Sequence, residues 1–129
     1  MKINGDLIVS EVGKSLLEAF EIEEAGSNNN GSYIKLKNGV LICYGERYFS
    51  VTNSTKVGSL FYSGGLSMGN YPIAFKERPY CFLQSRGVMS VVEHLYDNQT
   101  SMGTIYLMNG TQRSNQENLV AFFAIGTWK

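Results

Sequence analysis

The sequence contains few of the residues that most often carry catalytic or metal chemistry. Among 129 residues there are one histidine, two cysteines, one tryptophan and two prolines. A histidine-based metal site would therefore have to combine His94 with carboxylates or thiolates from distant parts of the chain. No H-x-x-H, C-x-x-C or clustered acidic motif is present. The sequence predicts no metal site and no cofactor.

Charge is also scarce, since Asp, Glu, Lys and Arg make up 17% of the residues and the formal net charge is zero. Residues 1–30 carry two Lys against six acidic residues, a charge of −4, and residues 31–129 carry nine basic against five acidic residues, a charge of +4. Neither part contains the cluster of Lys and Arg that a nucleic-acid interface requires. We expect no nucleic-acid partner.

Long apolar runs are absent. No segment approaches the roughly 20 apolar residues that span a bilayer, and the first residues lack the apolar region of a signal peptide. We therefore expect that the chain does not insert into a membrane. We also expect that it is synthesised in the cytoplasm and is not exported by a signal peptide. Cys43 and Cys81 each lie inside an apolar strand-like run, so buried free thiols are expected rather than a disulfide.

The chain is rich in turn and strand residues, with 43% hydrophobic residues, 12% aromatics and 14 glycines. This composition and length predict one all-β domain. The sequence contains about seven or eight short apolar runs separated by turn residues, counting the two runs of a predicted hairpin at residues 31–45. This pattern is typical of an antiparallel β-sandwich or barrel. These runs are Tyr48–Val51, Leu60–Tyr62, Tyr80–Arg86, Met89–Tyr96, Thr104–Met108 and Leu119–Trp128.

The clearest local pattern is the stretch Gly31–Gly45, two strand-like runs joined by Asn38 and Gly39. Asn-Gly is typical of a type I′ turn in a two-residue hairpin loop. That register would place Leu36 opposite Leu41 and Ile34 opposite Cys43 on a buried face. On the other face it would pair three sets: Lys37 with Val40, Lys35 with Ile42, and Tyr33 with Tyr44. The mixture of apolar residues and lysines on this second face predicts that another chain covers it.

The N-terminal part is predicted to contain a helix, unlike the rest of the chain. Ser15 and Glu18 fit a capping box, which predicts a short helix over Leu16–Glu24 after a short strand. Gly26–Ser32, GSNNNGS, has the composition of a flexible linker. The predicted organisation is an N-terminal stub for attachment or oligomerisation at residues 1–25, a linker at 26–32 and a β-sandwich head at 33–129.

The last strand, Leu119–Trp128, is apolar at both alternating sets of positions. One set contains Leu119, Ala121, Phe123 and Ile125, and the other contains Val120, Phe122, Ala124 and Trp128. A strand with water on one side alternates with polar residues, so this strand should be covered on both faces. The sandwich core can cover one face, and a neighbouring copy of the chain can cover the other.

Two catalytic patterns have partial matches in the sequence, and neither is favoured. Gly65–Gly69 fits the G-x-S-x-G nucleophile elbow, but it lies among loop residues instead of at a strand-to-helix turn, and His94 precedes Asp97 in the wrong order. Glycoside cleavage needs two facing carboxylates, whereas the β part offers acidic residues that are scattered singly. The sequence therefore favours a protein that is not an enzyme.

The loops of the β part are rich in Asn, Ser, Thr, Tyr and Arg, which suit adaptable recognition. Saccharides present apolar C–H faces and hydroxyls together, and such loops can satisfy both. The predicted ligand-binding residues are His94, Tyr96, Asp97, Asn98 and, second to these, Arg113. For each residue alone, a role in building the turn is the favoured interpretation.

Three segments carry a resemblance to a known family: SNNNGSYIKLKNGVLICYG, then Tyr71–Phe75 with Arg78-Pro79-Tyr80, and the ending FFAIGTWK. Together they resemble the C-terminal head domain of bacteriophage tail fibres and related tail proteins, over residues 27–129. That family is similar to the H-type lectins, which are small six-stranded antiparallel sandwiches that associate as trimers. The family offers no invariant sugar-binding signature to transfer to this sequence.

The resemblance implies a homotrimeric, non-enzymatic receptor-binding head in the virion tail of a phage or phage-like particle. It would recognise a bacterial surface glycan, and residues 1–25 would join other tail components. One alternative is a structural tip or collar protein that trimerises without touching the host. A less favoured alternative is a hydrolase or esterase that acts on a cell-surface glycan.

Overall fold

The computed structural model describes residues 20–129, which contain ten β-strands and no helix. The strands are β1 (Ile22–Asn28), β2 (Gly31–Leu36), β3 (Val40–Val51), β4 (Thr55–Val57), β5 (Leu60–Tyr62), β6 (Leu66–Ser67), β7 (Tyr80–Ser85), β8 (Ser90–Leu95), β9 (Thr104–Asn109) and β10 (Gln116–Thr127). Within these residues, then, no helical segment of membrane-spanning length and hydrophobicity occurs.

Every strand pairing within the two sheets is antiparallel. The first sheet has the order β1-β2-β3-β10-β7. In the second sheet β9 is central: β8 pairs along one edge, and β5 and β6 pair with its two ends along the other, with β4 beyond β5. The predicted all-β antiparallel sandwich is confirmed.

The core lies between the two sheets, on the faces that alternation turns inward. From the first sheet it takes the odd positions of β3 and the even positions of β10, and from the second sheet it takes β9. Its fully buried members include Leu41, Cys43, Val120, Ala124, Ile105 and Leu107. Three methionines with no exposed surface or almost none, Met68, Met89 and Met102, fill the space near the strand ends, where an adaptable side chain packs well.

Arg47 lies on the inward side of β3, opposite Val120. Its guanidinium stands 5.1 Å from the centre of the Phe122 ring. Nε donates to the carbonyl of Met68 at 2.7 Å, and Nη2 donates to that of Asn70 at 2.8 Å. Burial lowers the pKa of this guanidinium from its usual value, and the two carbonyls solvate the charge. Arg47 therefore ties the first sheet to the segment that follows β6.

The predicted register of the β2–β3 hairpin is wrong by one residue. Ile34 lies opposite Ile42 instead of Cys43. The loop is one residue longer than a type I′ turn, since the Gly39 amide donates to the Leu36 carbonyl at 3.0 Å and Gly39 alone has positive φ, at 103°. Asn38 does not take positive φ. Its Oδ1 instead accepts the Val40 amide at 3.0 Å, the local turn contact that Asn favours.

The shift changes which β2 side chains share a face with β3. Leu41 and Cys43 are buried as predicted, but their partners are Lys35 and Tyr33. Ile34 moves to the outward face. That face consequently loses its predicted lysines and becomes more apolar than the sequence suggested.

The predicted linker is also corrected. Gly26–Ser32 belongs to two paired strands, because β1 continues to Asn28 and β2 begins at Gly31. Asn28 turns the chain locally through an Oδ1 contact with the Asn30 amide at 2.8 Å. The predicted helix does not extend to Glu24, since Ile22–Asn28 is a strand, so the head starts earlier than residue 33. The rest of the helix and the short strand before it lie outside the described residues.

The last strand has one buried and one outward face. Val120, Phe122 and Ala124 are in the core. The alternate residues Phe123 and Ile125 face outward, and Phe123 is 44% exposed. We call this side of the first sheet the outer face. It carries Glu46 and Gln84 beside Ala121, and its apolar members are Ile34, Ile42, Tyr44, Tyr48, Tyr80, Phe82, Leu119, Ala121, Phe123 and Ile125.

The observed hairpin loop predicts that Gly39 contributes more to stability than Asn38 does. Gly39→Ala should lower the free energy of unfolding by about 1–3 kcal/mol, because a Cβ is strained at this positive φ. Asn38→Ala should cost less, about 1 kcal/mol, because only the Asn38 side-chain contact is lost. Urea unfolding of both variants would measure this. Gly64→Ala is the control, since a Cβ there meets no atom within 4 Å. A larger cost for Asn38→Ala would support the type I′ turn instead.

Candidate functional site

A surface cleft of about 500 Å³ lies where the edge strand of the first sheet approaches β8 and the loop that follows it. It is lined by Arg78, Pro79, Tyr80, Cys81, Phe82, His94 and Asp97. Two segments distant in sequence therefore form it: the entry to β7, and the end of β8 with its loop.

Strand alternation on β7 determines what this side of the cleft presents. Tyr80 and Phe82 point outward and are 76% and 61% exposed, whereas Cys81 and Leu83 point inward. The Arg86 amide donates to Leu119 of β10 at 2.7 Å. By the alternation of antiparallel pairs, the peptide groups of Cys81 then point away from β10, on the free edge. The β7 side of the cleft thus combines aromatic surface with backbone groups that no strand within residues 20–129 pairs.

An ion pair joins the two sides of the cleft. Arg78 binds Asp97 with two hydrogen bonds, Nη2 to Oδ1 at 2.9 Å and Nε to Oδ2 at 3.3 Å. The Asp97 side chain is 9% exposed and that of Arg78 is 69% exposed. The Asp97 carboxylate raises the pKa of Arg78 through these hydrogen bonds. The bidentate geometry fixes the guanidinium plane and leaves Nη1 accessible.

His94 is held by the backbone of the second sheet. Its Nε2 lies 2.6 Å from the carbonyl oxygen of Met102. Because a carbonyl only accepts, Nε2 is the donor in this contact. The contact fixes the orientation of the His94 ring.

The loop after β8 is held by backbone and Asn98 contacts. Asn98 Oδ1 accepts the amides of Thr100 at 2.9 Å and Ser101 at 2.8 Å. The loop is tied to the preceding segment, since the Phe75 amide donates to the Gln99 carbonyl at 3.0 Å. Tyr96 stands in this loop beside Asp97 and is 79% exposed. The loop thus presents Asp97 to the cleft and Tyr96 to solvent next to it.

A buried tyrosine lies close to the residues of the cleft. Tyr71 is 3% exposed, and its hydroxyl has no hydrogen-bond partner of good geometry among the described residues. Burial raises the pKa of this hydroxyl, and the nearby Cys81 thiol and Asp97 carboxylate raise it further. The Tyr71 ring packs edge-on against Phe75 with centres 5.0 Å apart.

The structure brings some of the predicted site residues together and separates others. His94 and Asp97 line one cleft, and Tyr96 stands beside it. Asn98 builds the loop. Arg113 follows β9, whereas His94 lies opposite Ile105, about 14 Å along β9 from its end at Asn109. The Arg113 amide donates to the buried Asn53 side chain at 2.7 Å, which ties this second loop to the end of β3.

Sequence reasoning missed the β7 half of the cleft. Tyr80 and Phe82 alternate with the inward Cys81, so an aromatic stripe on one side of a strand was a signal that could have been found. The Arg78 partnership with Asp97 spans 19 residues and carries no local signal.

The geometry is consistent with the rejection of the serine nucleophile elbow. Ser67 lies opposite Thr104 on one edge of β9, and His94 lies opposite Ile105 on the other edge. The two are separated by an intervening strand, a distance of about 10 Å between backbones. Ser67 Oγ accepts the Gly69 amide at 3.1 Å and so serves the local turn.

Both cysteines are free, as predicted. Cys43 and Cys81 lie on either side of β10, each opposite Ala124. Two strand spacings place their Cα atoms about 9–10 Å apart, beyond the roughly 7 Å limit of a disulfide. Burial raises the pKa of the Cys43 thiol to about 12 and also raises that of Cys81.

Comparison with known proteins shows the fold. No family model and no curated protein matches the chain. The solved structure of an N-truncated R1-type pyocin tail fibre is similar, with a TM-score of 0.53 and 13% identity over 98% of this chain and 99% of that one. A structure of the C-terminal part of the P. aeruginosa R1 pyocin fibre has a TM-score of 0.51 and 14% identity over 91% of this chain and 31% of that one. At these identities the likeness establishes a shared fold.

The raised pKa of Cys43 predicts a stability loss at alkaline pH. In the unfolded chain the thiol ionises from its ordinary pKa of about 8.5–9 upward, whereas in the folded chain it stays protonated until about pH 12. Folding stability should therefore fall as pH rises through this window. Between pH 9 and 11 the wild type should lose up to about 1.4 kcal/mol per pH unit more than Cys43→Ala. Equal slopes in urea unfolding would contradict the buried thiol.

Proposed function

We propose that this chain is the receptor-binding head of a tail fibre of a phage or phage-like particle, and that its cleft binds a bacterial surface glycan without catalysis. The shared fold with R1 pyocin tail fibres supports the tail-fibre part. The observation that carries the binding part is the Arg78–Asp97 ion pair beside exposed aromatic residues in one cleft.

The chemistry of the cleft suits a saccharide. Tyr80, at the edge of the cleft, offers flat apolar area for the C–H face of a sugar ring. Asp97 keeps free acceptor positions on its carboxylate, and Arg78 keeps free donors on Nη1, so adjacent hydroxyls can be bound as donor and acceptor. The cleft is of a size that binding sites for small ligands have. A lectin-like role of this kind is what the resemblance of the sequence to H-type lectins implies.

The side chains of the cleft favour binding over turnover. Glycoside hydrolysis uses two carboxylates across the scissile bond, and Asp97 is the sole carboxylate among the seven lining residues. Asp97 is bound to Arg78 instead of orienting His94, and the Nε2 of His94 is occupied by a carbonyl. Release of reducing sugar from the bound polysaccharide would identify the hydrolase alternative.

The outer face supports assembly into a homotrimer. Phe123 lies opposite Tyr44 on one side and Phe82 on the other, and Ile125 lies opposite Ile42. These side chains form a continuous apolar surface, and the aromatic members are 44% to 61% exposed in the single chain. Patches of this kind on a single chain indicate an interface. Two further copies are the proposed occupants, because cyclic symmetry buries the same face on every copy.

A hollow in the outer face gives this interface a specific feature. Small Ala121 lies between Glu46 and Gln84, and a depression of about 170 Å³ forms there beside Phe82 and Phe123. Interfaces bury large side chains in such depressions. The cleft lies at the margin of this face, because β7 is its edge strand.

The same face supports the rival function, a structural tip or collar protein that trimerises without binding the host. In both cases we propose that residues 1–25 join the head to other tail components. The two functions differ in whether the cleft binds saccharide, so a glycan array separates them: absence of binding by the assembled protein would favour the structural role.

Saccharide binding should depend on the ion pair. Asp97→Asn keeps the shape of the side chain but removes the charge that holds Arg78, so affinity for a bound glycan should fall about tenfold or more. Binding of purified surface polysaccharide measured by calorimetry would test this. Glu117→Gln, on the first sheet away from the cleft, is the control and should bind as the wild type does. Equal loss in both variants would contradict the assignment of the cleft.

Assembly should depend on the outer face. Light scattering at micromolar concentration should give about three times the chain mass of 14.4 kDa. Phe123→Glu should give single chains, because a charge would be buried at the centre of the interface. Val57→Glu, at an exposed apolar position of β4, should remain assembled. A monomeric wild type would contradict the interface, and a dimer would contradict only the three-fold symmetry.

A further inference from the structure

The backbone of Tyr96 adopts a conformation that its side chain disfavours. Its φ is +69°, in the left-handed region that glycine and asparagine tolerate and that other residues adopt at a cost. Within residues 20–129 one other non-glycine residue has positive φ, and it is Asn115. Tyr96 is therefore the one described position at which a bulky side chain is held in this strained region.

The surrounding loop imposes this conformation. Gly103 lies against the backbone of residues 95–97, so closely that a Cβ there would be 2.2 Å from the Leu95 carbonyl oxygen and 2.8 Å from the Asp97 amide. Asn98 closes the other side of the loop through its contacts with two following amides. Whatever residue occupies position 96 must accept positive φ, so asparagine or glycine would suit the fold better.

The Tyr96 side chain makes no polar or ring contact with the described residues that would offset this strain. It is 79% exposed and takes part in no hydrogen bond, ring contact or cation–π contact with the described residues. Strain that persists without a structural benefit is typical of a functional position. The position of Tyr96 next to Asp97 connects that function with the cleft.

The charges of the cleft restrict the ligand. At pH 7 its seven lining residues carry one formal positive charge, on Arg78, and one formal negative charge, on Asp97, with the histidine counted as neutral. These two charges are paired at 2.9 Å. An anion that approached Arg78 would also meet the adjacent carboxylate, and displacing that largely buried carboxylate would leave it unpaired. The pair therefore favours uncharged hydroxyls over acidic groups.

We propose that the cleft selects a neutral saccharide ring and that Tyr96 is its aromatic platform, a refinement that depends on the proposed glycan binding. Adjacent hydroxyls of the ring bind the free acceptor positions of Asp97 and the Nη1 donors of Arg78. The apolar C–H face of the same ring stacks on Tyr96, which the strained loop holds out of the core. The strain at Tyr96, which lowers the stability of the fold, is thus linked to tighter binding of the saccharide.

The test uses the full chain on an array of neutral and acidic bacterial saccharides at 50 and 500 mM NaCl. The proposal expects neutral glycans to bind with affinities that change less than about twofold with salt, because no net charge is neutralised. Tyr96→Asn should weaken this binding about tenfold or more while the melting temperature stays the same or rises by up to about 5 °C. Tyr96→Phe should retain binding, and Val57→Asn is the control for loss of an exposed apolar residue.

The outcomes separate this proposal from the proposed function. Preference for acidic glycans, with binding that weakens at high salt, would overturn the neutral-ligand proposal and leave glycan recognition standing. Neutral binding that Tyr96→Asn leaves unchanged would overturn the platform. A lower melting temperature for Tyr96→Asn would show that the tyrosine serves the fold. Failure of the wild type to bind any glycan would overturn the proposed function together with this refinement.

Discussion

The antiparallel pairing of β3 with β10 over twelve residues is the constraint on which the rest of this structure depends. It fixes which side chains face the second sheet and which face outward along the whole length of the domain. Phe122 and Ala124 enter the core, whereas Phe123 and Ile125, which alternate with them, are turned away from it. A one-residue slip would exchange the two faces, and the core would lose its buried partners in β9.

The same pairing explains why the cleft forms at one margin of the sandwich. β10 pairs with β3 over its whole length but with β7 over six residues, so β7 is a short edge strand. The segment before β7 places Arg78 near the end of β8. Asp97 lies there in a loop whose conformation is set by Asn98 and Gly103. The proposed binding cleft thus lies where regular strand pairing ends, and binding residues are often found on such loops of a rigid scaffold.

The sequence predicted the fold class and the apolar character of both faces of the last strand because these follow from alternation and composition. It failed at the β2–β3 hairpin because Asn-Gly also suits a longer loop, in which Asn38 is a local acceptor and only Gly39 takes positive φ. The linker prediction failed for a related reason: GSNNNGS is flexible by composition, but pairing with the rest of the sheet orders it.

Part of the candidate cleft could be predicted from the sequence. His94 and Asp97 were predicted because a polar loop follows an apolar strand, and the structure places both residues in one cleft. Arg113 could not be excluded, since only the folded chain places it at the far end of β9. Arg78 was missed as a site residue because its ion pair with Asp97 joins segments with no local pattern in common. Strain at Tyr96 likewise becomes visible only when Gly103 is seen beneath the loop.

A crystal structure of the assembled protein with an oligosaccharide from the recognised surface polysaccharide would test the central claim most directly. The account predicts an ordered sugar ring that is hydrogen-bonded to Asp97 and Arg78 and bordered by the aromatic side chains Tyr80 and Tyr96. An ordered sugar ring elsewhere, with the cleft empty, would contradict this account. One such place is a second depression of the first sheet, lined by Tyr48 and Glu117.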